Sequence, residues 1–154
     1  MIYVFDTSSI IVLGHYFPDR FPTFWNHFES AVGNGSVVSV REVLKEIASA
    51  REWLMDWVNN HKEIFLMPGA EETAFVAKIF QVPHFQMLVT ETQRLRGHPV
   101  ADPFVIACAS VRGGTVVTEE SSKPNSARIP NVCSHFGVGC TNVEGFLAEN
   151  GWKF

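Results

Sequence analysis

Short β-favouring runs alternate with stretches that carry apolar residues at helical spacing, and this alternation constrains the chain more than any single motif. Ile2 to Phe5 is an apolar run ending at Asp6-Thr7-Ser8, residue types that cap a helix where a strand hands over to one. Pro22-Thr23-Phe24-Trp25-Asn26-His27-Phe28 opens a helix that Gly33-Asn34-Gly35 stops, and Ser36 to Ser39 then reads as a second strand. Val43, Leu44, Ile47, Ala48, Trp53, Leu54, Trp57 and Val58 form one apolar stripe, predicting a helix from Val40 that carries Glu42 and Glu46 one turn apart. Ile64 to Met67 predicts a strand closed by Pro68-Gly69, and Ala70 to Phe80 and Phe85 to Leu95 predict two helices separated by Pro83.

Asp102 and Pro103 supply an N-cap and a first helical residue for the apolar segment Phe104 to Val111, which Gly113-Gly114 stops. Thr115 to Thr118 is a β-branched strand running into Glu119-Glu120. A polar loop from Ser121 to Arg128, a small strand near Val138 and a last helix from Asn142 to Asn150 follow. Strands and helices in turn imply an α/β fold of three layers, α/β/α, with a central, mainly parallel sheet. The length suits one domain over residues 1–154.

In open parallel sheets, ligands gather beyond the carboxyl ends of the strands. Asp6 follows the first strand, Glu119 and Glu120 follow the Thr115 to Thr118 strand, and Asp102 opens a helix between them in sequence. Carboxylates brought to one sheet edge make a hard-oxygen site suited to Mg2+ or Mn2+, and the cation offsets their mutual repulsion. Two such ions about 3.5–4 Å apart suit in-line hydrolysis of a phosphodiester. Taken singly, each acid has a plainer reading: Asp6 and Asp102 as helix caps, Glu42, Glu46, Glu119 and Glu120 as solvated surface.

Other classes rank lower. A net charge of −4 argues against a nonspecific nucleic-acid coat, so an RNA would be held locally by some of Arg41, Lys45, Arg51, Arg94, Arg96, Arg112, Lys123 and Arg128. The N-terminal apolar stretch lacks a basic leader and is broken by Asp6 to Ser9, so neither a signal peptide nor a membrane span is expected, and the chain reads as cytoplasmic. Cys108, Cys133 and Cys140 are an odd set without a CxxC pair, read as reduced core residues. A zinc site at Cys133, His135 and Cys140 lacks the usual paired spacing. Phe17, Phe21, Phe24, Trp25, Phe28, Trp53 and Trp57 are more apolar surface than a small monomer needs, which predicts a homodimer.

Four segments, in order, resemble the motifs of PIN domains: Ile2 to Ile11 around Asp6, Ser39 to Ile47 around Glu46, Ala101 to Ala109 around Asp102, and Val116 to Glu120. The resemblance implies a PIN-like fold and an Mg2+- or Mn2+-dependent endoribonuclease. In it Asp6, Glu46, Asp102 and Glu120, with Glu119 as the neighbouring candidate, hold the metal, while Thr7 or Ser8 orients the first carboxylate. Thr118 belongs to the last motif, and Glu42 is the alternative to Glu46. Thr118-Glu119-Glu120 departs from the commoner pattern, in which an aspartate stands two residues after the threonine. The tail from Ile129 looks like an uncharacterised prokaryotic PIN-like subfamily grouped with toxins of toxin–antitoxin modules, which implies an antitoxin partner. The alternative is a PIN-like module with weak chemistry that binds RNA or protein.

Overall fold

The computed structural model describes residues 1–47, 50–89 and 100–154. Five strands, β1 (Tyr3–Phe5), β2 (Val37–Val40), β3 (Phe65–Leu66), β4 (Thr115–Val117) and β5 (Gly139–Thr141), pair in the order β3-β2-β1-β4-β5, and every pairing is parallel. Parallel neighbours need crossovers, and helices supply them. α1 (Thr7–Leu13) and α2 (Pro22–Gly33) join β1 to β2; α3 (Arg41–Glu46) and α4 (Glu52–Asn60) lie between β2 and β3. α5 (Ala70–Phe80) and α6 (Asp102–Arg112) precede β4, α7 (Ile129–Phe136) precedes β5, and α8 (Val143–Glu149) follows it. The result is the expected three-layer α/β/α architecture.

Alternation along β1 divides the core. Tyr3 and Phe5 point to one face, where both meet Phe146 of α8 edge-on, at 4.9 and 5.2 Å, and Phe5 meets Phe28 of α2 at 5.6 Å. Val4 and its register partner Val116 point to the other face, and α6 packs on β1, β2 and β4. Phe5, Phe24, Phe28 and Phe146 are fully buried, each contributing roughly 1.5–3 kcal/mol of transfer free energy. α6 ends on Gly113 in the left-handed region (φ 64°), as the glycine pair predicts. At Gly114 a Cβ would stand 2.6 Å from the Ile2 carbonyl oxygen, so the chain can enter β4 beside β1 only with glycine there.

Several elements differ from the sequence reading. The stripe from Val40 to Val58 is two helices, with Arg51 extended (ψ 145°) before the second; Ala48 and Ser49 lie outside the described residues. Val43, Ile47, Leu54 and Val58 are all buried, so each helix meets the core separately and the apolar period runs through the break unmarked. Lys62–Ile64 forms a 3-10 turn, which leaves only two residues for β3. Pro83–Leu88 is also 3-10, and residues 90–99 of the helix expected over Phe85 to Leu95 and the segment after it lie outside the described residues.

Phe24, Trp25 and Phe28 belong to the core and Trp53 and Trp57 pack half-buried against it, whereas Phe17 and Phe21 are exposed. All three cysteines are free; Cys108 and Cys133 are buried as expected, but Cys140 is exposed because β5 is an edge strand. Among the described residues no helix is long and apolar enough to cross a membrane.

Candidate functional site

The sheet runs from β1 outward to β2 and β3, then returns to the other side of β1 for β4 and β5, so its topological switch point lies beyond β1 and β4. Register sets two side chains next to each other there. Phe5 pairs with Val117, the Asp6 N–H donates to the Val117 carbonyl (3.0 Å), and Asp6 and Thr118 therefore leave the sheet together. Asp6 caps α1 as predicted, its Oδ1 accepting the Ser9 N–H at 2.8 Å. The Ser8 hydroxyl lies 2.8 and 2.9 Å from its two oxygens, and the Thr118 hydroxyl donates to Oδ2. Thr118 Oγ1 in turn accepts the Glu120 N–H at 3.1 Å, and Ser8 Oγ accepts the Glu119 N–H at 3.0 Å. The first carboxylate and the end of β4 are thus one hydrogen-bonded unit.

Glu46 closes the opposite side. It is the last residue of α3, and its Oε2 accepts the Ala101 N–H at 2.6 Å while Thr7 Oγ1 lies 3.5 Å from Oε1. Ala101, not Asp102, stands at the cap position of α6; Asp102 is the first helical residue and Pro103 the second. A capping-box glutamate normally reaches back to the cap residue's N–H from within its own helix. Here Glu46 does so from another helix, which relieves Asp102 of capping.

The surrounding charges register on Asp102. Burial, and then Glu120, Glu46 and Asp6 in that order, push its carboxyl up to about 7. Burial likewise raises Glu46, against the Ala101 and Thr7 hydrogen bonds and with the help of Asp6 and Glu120. Asp6, Glu46, Asp102 and Glu120 therefore share one field. Glu119 is directed elsewhere, its Oε1 accepting the Val143 N–H at the start of α8 (2.8 Å). Glu120 Oε2 accepts the Ile129 N–H at the start of α7 (2.9 Å). Glu42 is buried beside Arg41 (3.2 Å) and is not among the charges acting on Asp102 or Glu46.

As folded, no three Asp, Glu, His or Cys side chains among the described residues form a ready-made cation cage. The donor set nonetheless fits a hard divalent cation: it is all oxygen, and burial first, then the uncompensated charge of Glu120, Glu46 and Asp6, holds the Asp102 proton to about 7. The zinc arrangement weighed from the sequence does not assemble. Cys133 is buried, while the His135 ring packs on Phe85 and Phe136 at 5.0 and 4.7 Å.

Sequence reasoning missed the cleft beside Glu120. It measures about 810 Å3, and Thr118, Glu120, Lys123, Asn131, Ser134 and Cys140 are in its wall. Three separate segments build it, so no local pattern marks it; the nearest signal is Asn131, whose amide holds Lys123 at both its N–H (3.3 Å) and its carbonyl (2.7 Å).

Comparison with curated proteins finds no match. Residues 3–154 match the model of the family described as "Domain of unknown function (DUF4411)", and with that span matched the chain belongs to this family.

Proposed function

We propose that the chain is a PIN-like, Mg2+- or Mn2+-dependent endoribonuclease that hydrolyses RNA phosphodiester bonds. The observation that carries this reading is the hydrogen-bonded bracket at the switch point: Thr118 ties Asp6 to Glu120, and Glu46 ties Thr7 to the residue before Asp102. When bound, the cation supplies the charge compensation and water acidity that phosphodiester hydrolysis needs. Asp6 and Asp102 would hold it, Ser8 and Thr118 orient Asp6, and Glu46 and Glu120 complete the negative field. Action as a cytoplasmic toxin with an antitoxin partner rests on the resemblance of the four motifs. A homodimer rests on the exposed Phe17 and Phe21.

One observation favours the alternative, a binding module with weak chemistry: Glu120 has one oxygen committed to the Ile129 N–H, so only the other is free for a cation. Incubating structured and unstructured RNA with the chain in Mn2+, Mg2+ or EDTA separates the two. Cleavage in either metal and none in EDTA is the expected result; no cleavage, with RNA or a protein still bound, favours the module.

The adjacent glutamates give a sharper comparison. Glu120→Gln is expected to lower cleavage about tenfold to a hundredfold, the range found when a group near a metal is lost. Glu119→Gln should leave cleavage unchanged, since Glu119 serves the start of α8, and should cost about 1 kcal/mol in urea unfolding. The reverse ranking in the cleavage assay assigns the site to the wrong glutamate.

A further inference from the structure

A second cleft, of about 470 Å3, adjoins the one beside Glu120, and Asn131 and Ser134 line both. The inner cleft begins at Thr118 and Glu120, inside the acidic bracket, and continues over Lys123, Asn131 and Ser134. The outer one is bounded by His84, Phe85 and His135, with the Phe85 and His135 rings edge to face at 5.0 Å. Together they form a polar track that leaves the acids, crosses α7 and ends at aromatic rings.

The track's walls are held in place before anything binds. Asn131 pins Lys123 through two backbone bonds, Glu120 anchors Ile129, and Arg128 donates to the Ser121 carbonyl at 3.4 Å. Arg41 pairs with Glu42, Arg112 with Glu72 (3.4 Å), and Arg51 lies over the Phe17 ring. Lys123 lines the inner cleft, and Arg128 braces Ser121, another residue of its wall. A ligand running along it meets positive charge, then hydroxyl and amide groups, then the exposed rings of His84 and His135.

Unpaired nucleotides need that order of chemistry: a cation for phosphate, small polar groups for base edges and the ribose hydroxyl, and rings for stacking. Each cleft falls within the roughly 300–1,000 Å3 usual for small-ligand sites, and a base already paired in a duplex presents no free face to such rings. We propose that the twin cleft holds about two unpaired ribonucleotides on one side of the bond at the acidic bracket, the nearer against Lys123, Asn131 and Ser134, the farther against His84 and His135. The assignment rests on the endoribonuclease reading for its direction, but binding tests it without cleavage.

Fluorescence anisotropy with a labelled, unstructured hexaribonucleotide in EDTA is the test, run beside a blunt RNA duplex of equal length. Ser134→Trp fills the wall common to both clefts and should weaken single-strand binding at least about tenfold; Lys123→Ala and His135→Ala should each weaken it about fivefold or more. The duplex should bind at least about tenfold more weakly than the single strand. Ser134, Lys123 and His135 are exposed, and if the tryptophan variant fails to fold the two alanine variants carry the test. Unchanged binding in the folded variants, or preference for the duplex, overturns the assignment. Lost binding in the variants of a chain that cuts no RNA upholds the cleft and defeats the nuclease, whereas metal-dependent cleavage indifferent to all three variants does the opposite.

Discussion

Asp6→Asn is expected to abolish RNA cleavage while leaving the folded chain almost as stable, whereas Asp6→Ala is expected to damage both. Asn and Asp cap helices about equally well, and the amide oxygen of the variant can still accept the Ser9 N–H that Oδ1 accepts now. The amide nitrogen that replaces Oδ2 cannot accept the Thr118 hydroxyl, which must donate instead to Ser8 Oγ, 3.3 Å away, so stability should fall by only about 1 kcal/mol or less in urea unfolding. Alanine removes the cap, worth about 1 kcal/mol, and also leaves the Ser8 and Thr118 hydroxyls without the acceptor they share, in a place where Asp6 is 3% exposed. With about 1–3 kcal/mol for orphaned buried donors, the total loss is about 2–4 kcal/mol. Chemistry follows charge instead. Losing a group that only supports a metal costs about tenfold to a hundredfold, so losing a carboxylate that holds one should cost at least about a hundredfold in either variant. An Asp6→Asn chain that cuts RNA at the native rate would reduce Asp6 to a helix cap.

The contrast between Asp6 and Asp102 shows which parts of the site the sequence could reveal. Asp6 follows a four-residue apolar run and precedes Ser8 and Ser9, so its cap is a local event and its place at the strand end was legible. Asp102 was read as a cap by the same local rule, and the rule failed because the acceptor for Ala101 comes from Glu46, 55 residues away. The order of strands and helices was legible because burial on both faces of a parallel sheet imposes it. The break between α3 and α4 was not, since both helices keep the same apolar period. Glu119 and Glu120 stayed undivided in sequence for a comparable reason. Successive residues leaving a strand point to opposite sides, and only the positions of α7 and α8 decide which glutamate remains with the acids.

Asp102→Asn is expected to stabilise the metal-free chain at pH 8 by about 2–4 kcal/mol while ending cleavage, an exchange of function for stability that a purely structural aspartate would not show. In the native fold this carboxyl holds its proton to about 7 instead of its ordinary 3.8, first because it is buried and then because Glu120, Glu46 and Asp6 surround it. Between those two values the folded state binds more protons than the unfolded state, so stability falls as pH rises through the window and levels off above about 7. At about 1.4 kcal/mol per pH unit, the penalty amounts to a few kcal/mol. Asparagine is neutral throughout; the stability difference between variant and native chains should be near zero at pH 4, grow to pH 7 and stay constant beyond. Glu46, raised in the same direction, remains in both chains and largely cancels. Adding Mn2+ at pH 8 should raise the Tm of the native chain and do much less for the variant, because a ligand stabilises a fold only in proportion to its binding. Urea unfolding across this pH range, with and without Mn2+, measures all of it. A stability difference that is flat from pH 4 to pH 8 would mean that Asp102 does not feel the other three acids, and the candidate site would lose its centre.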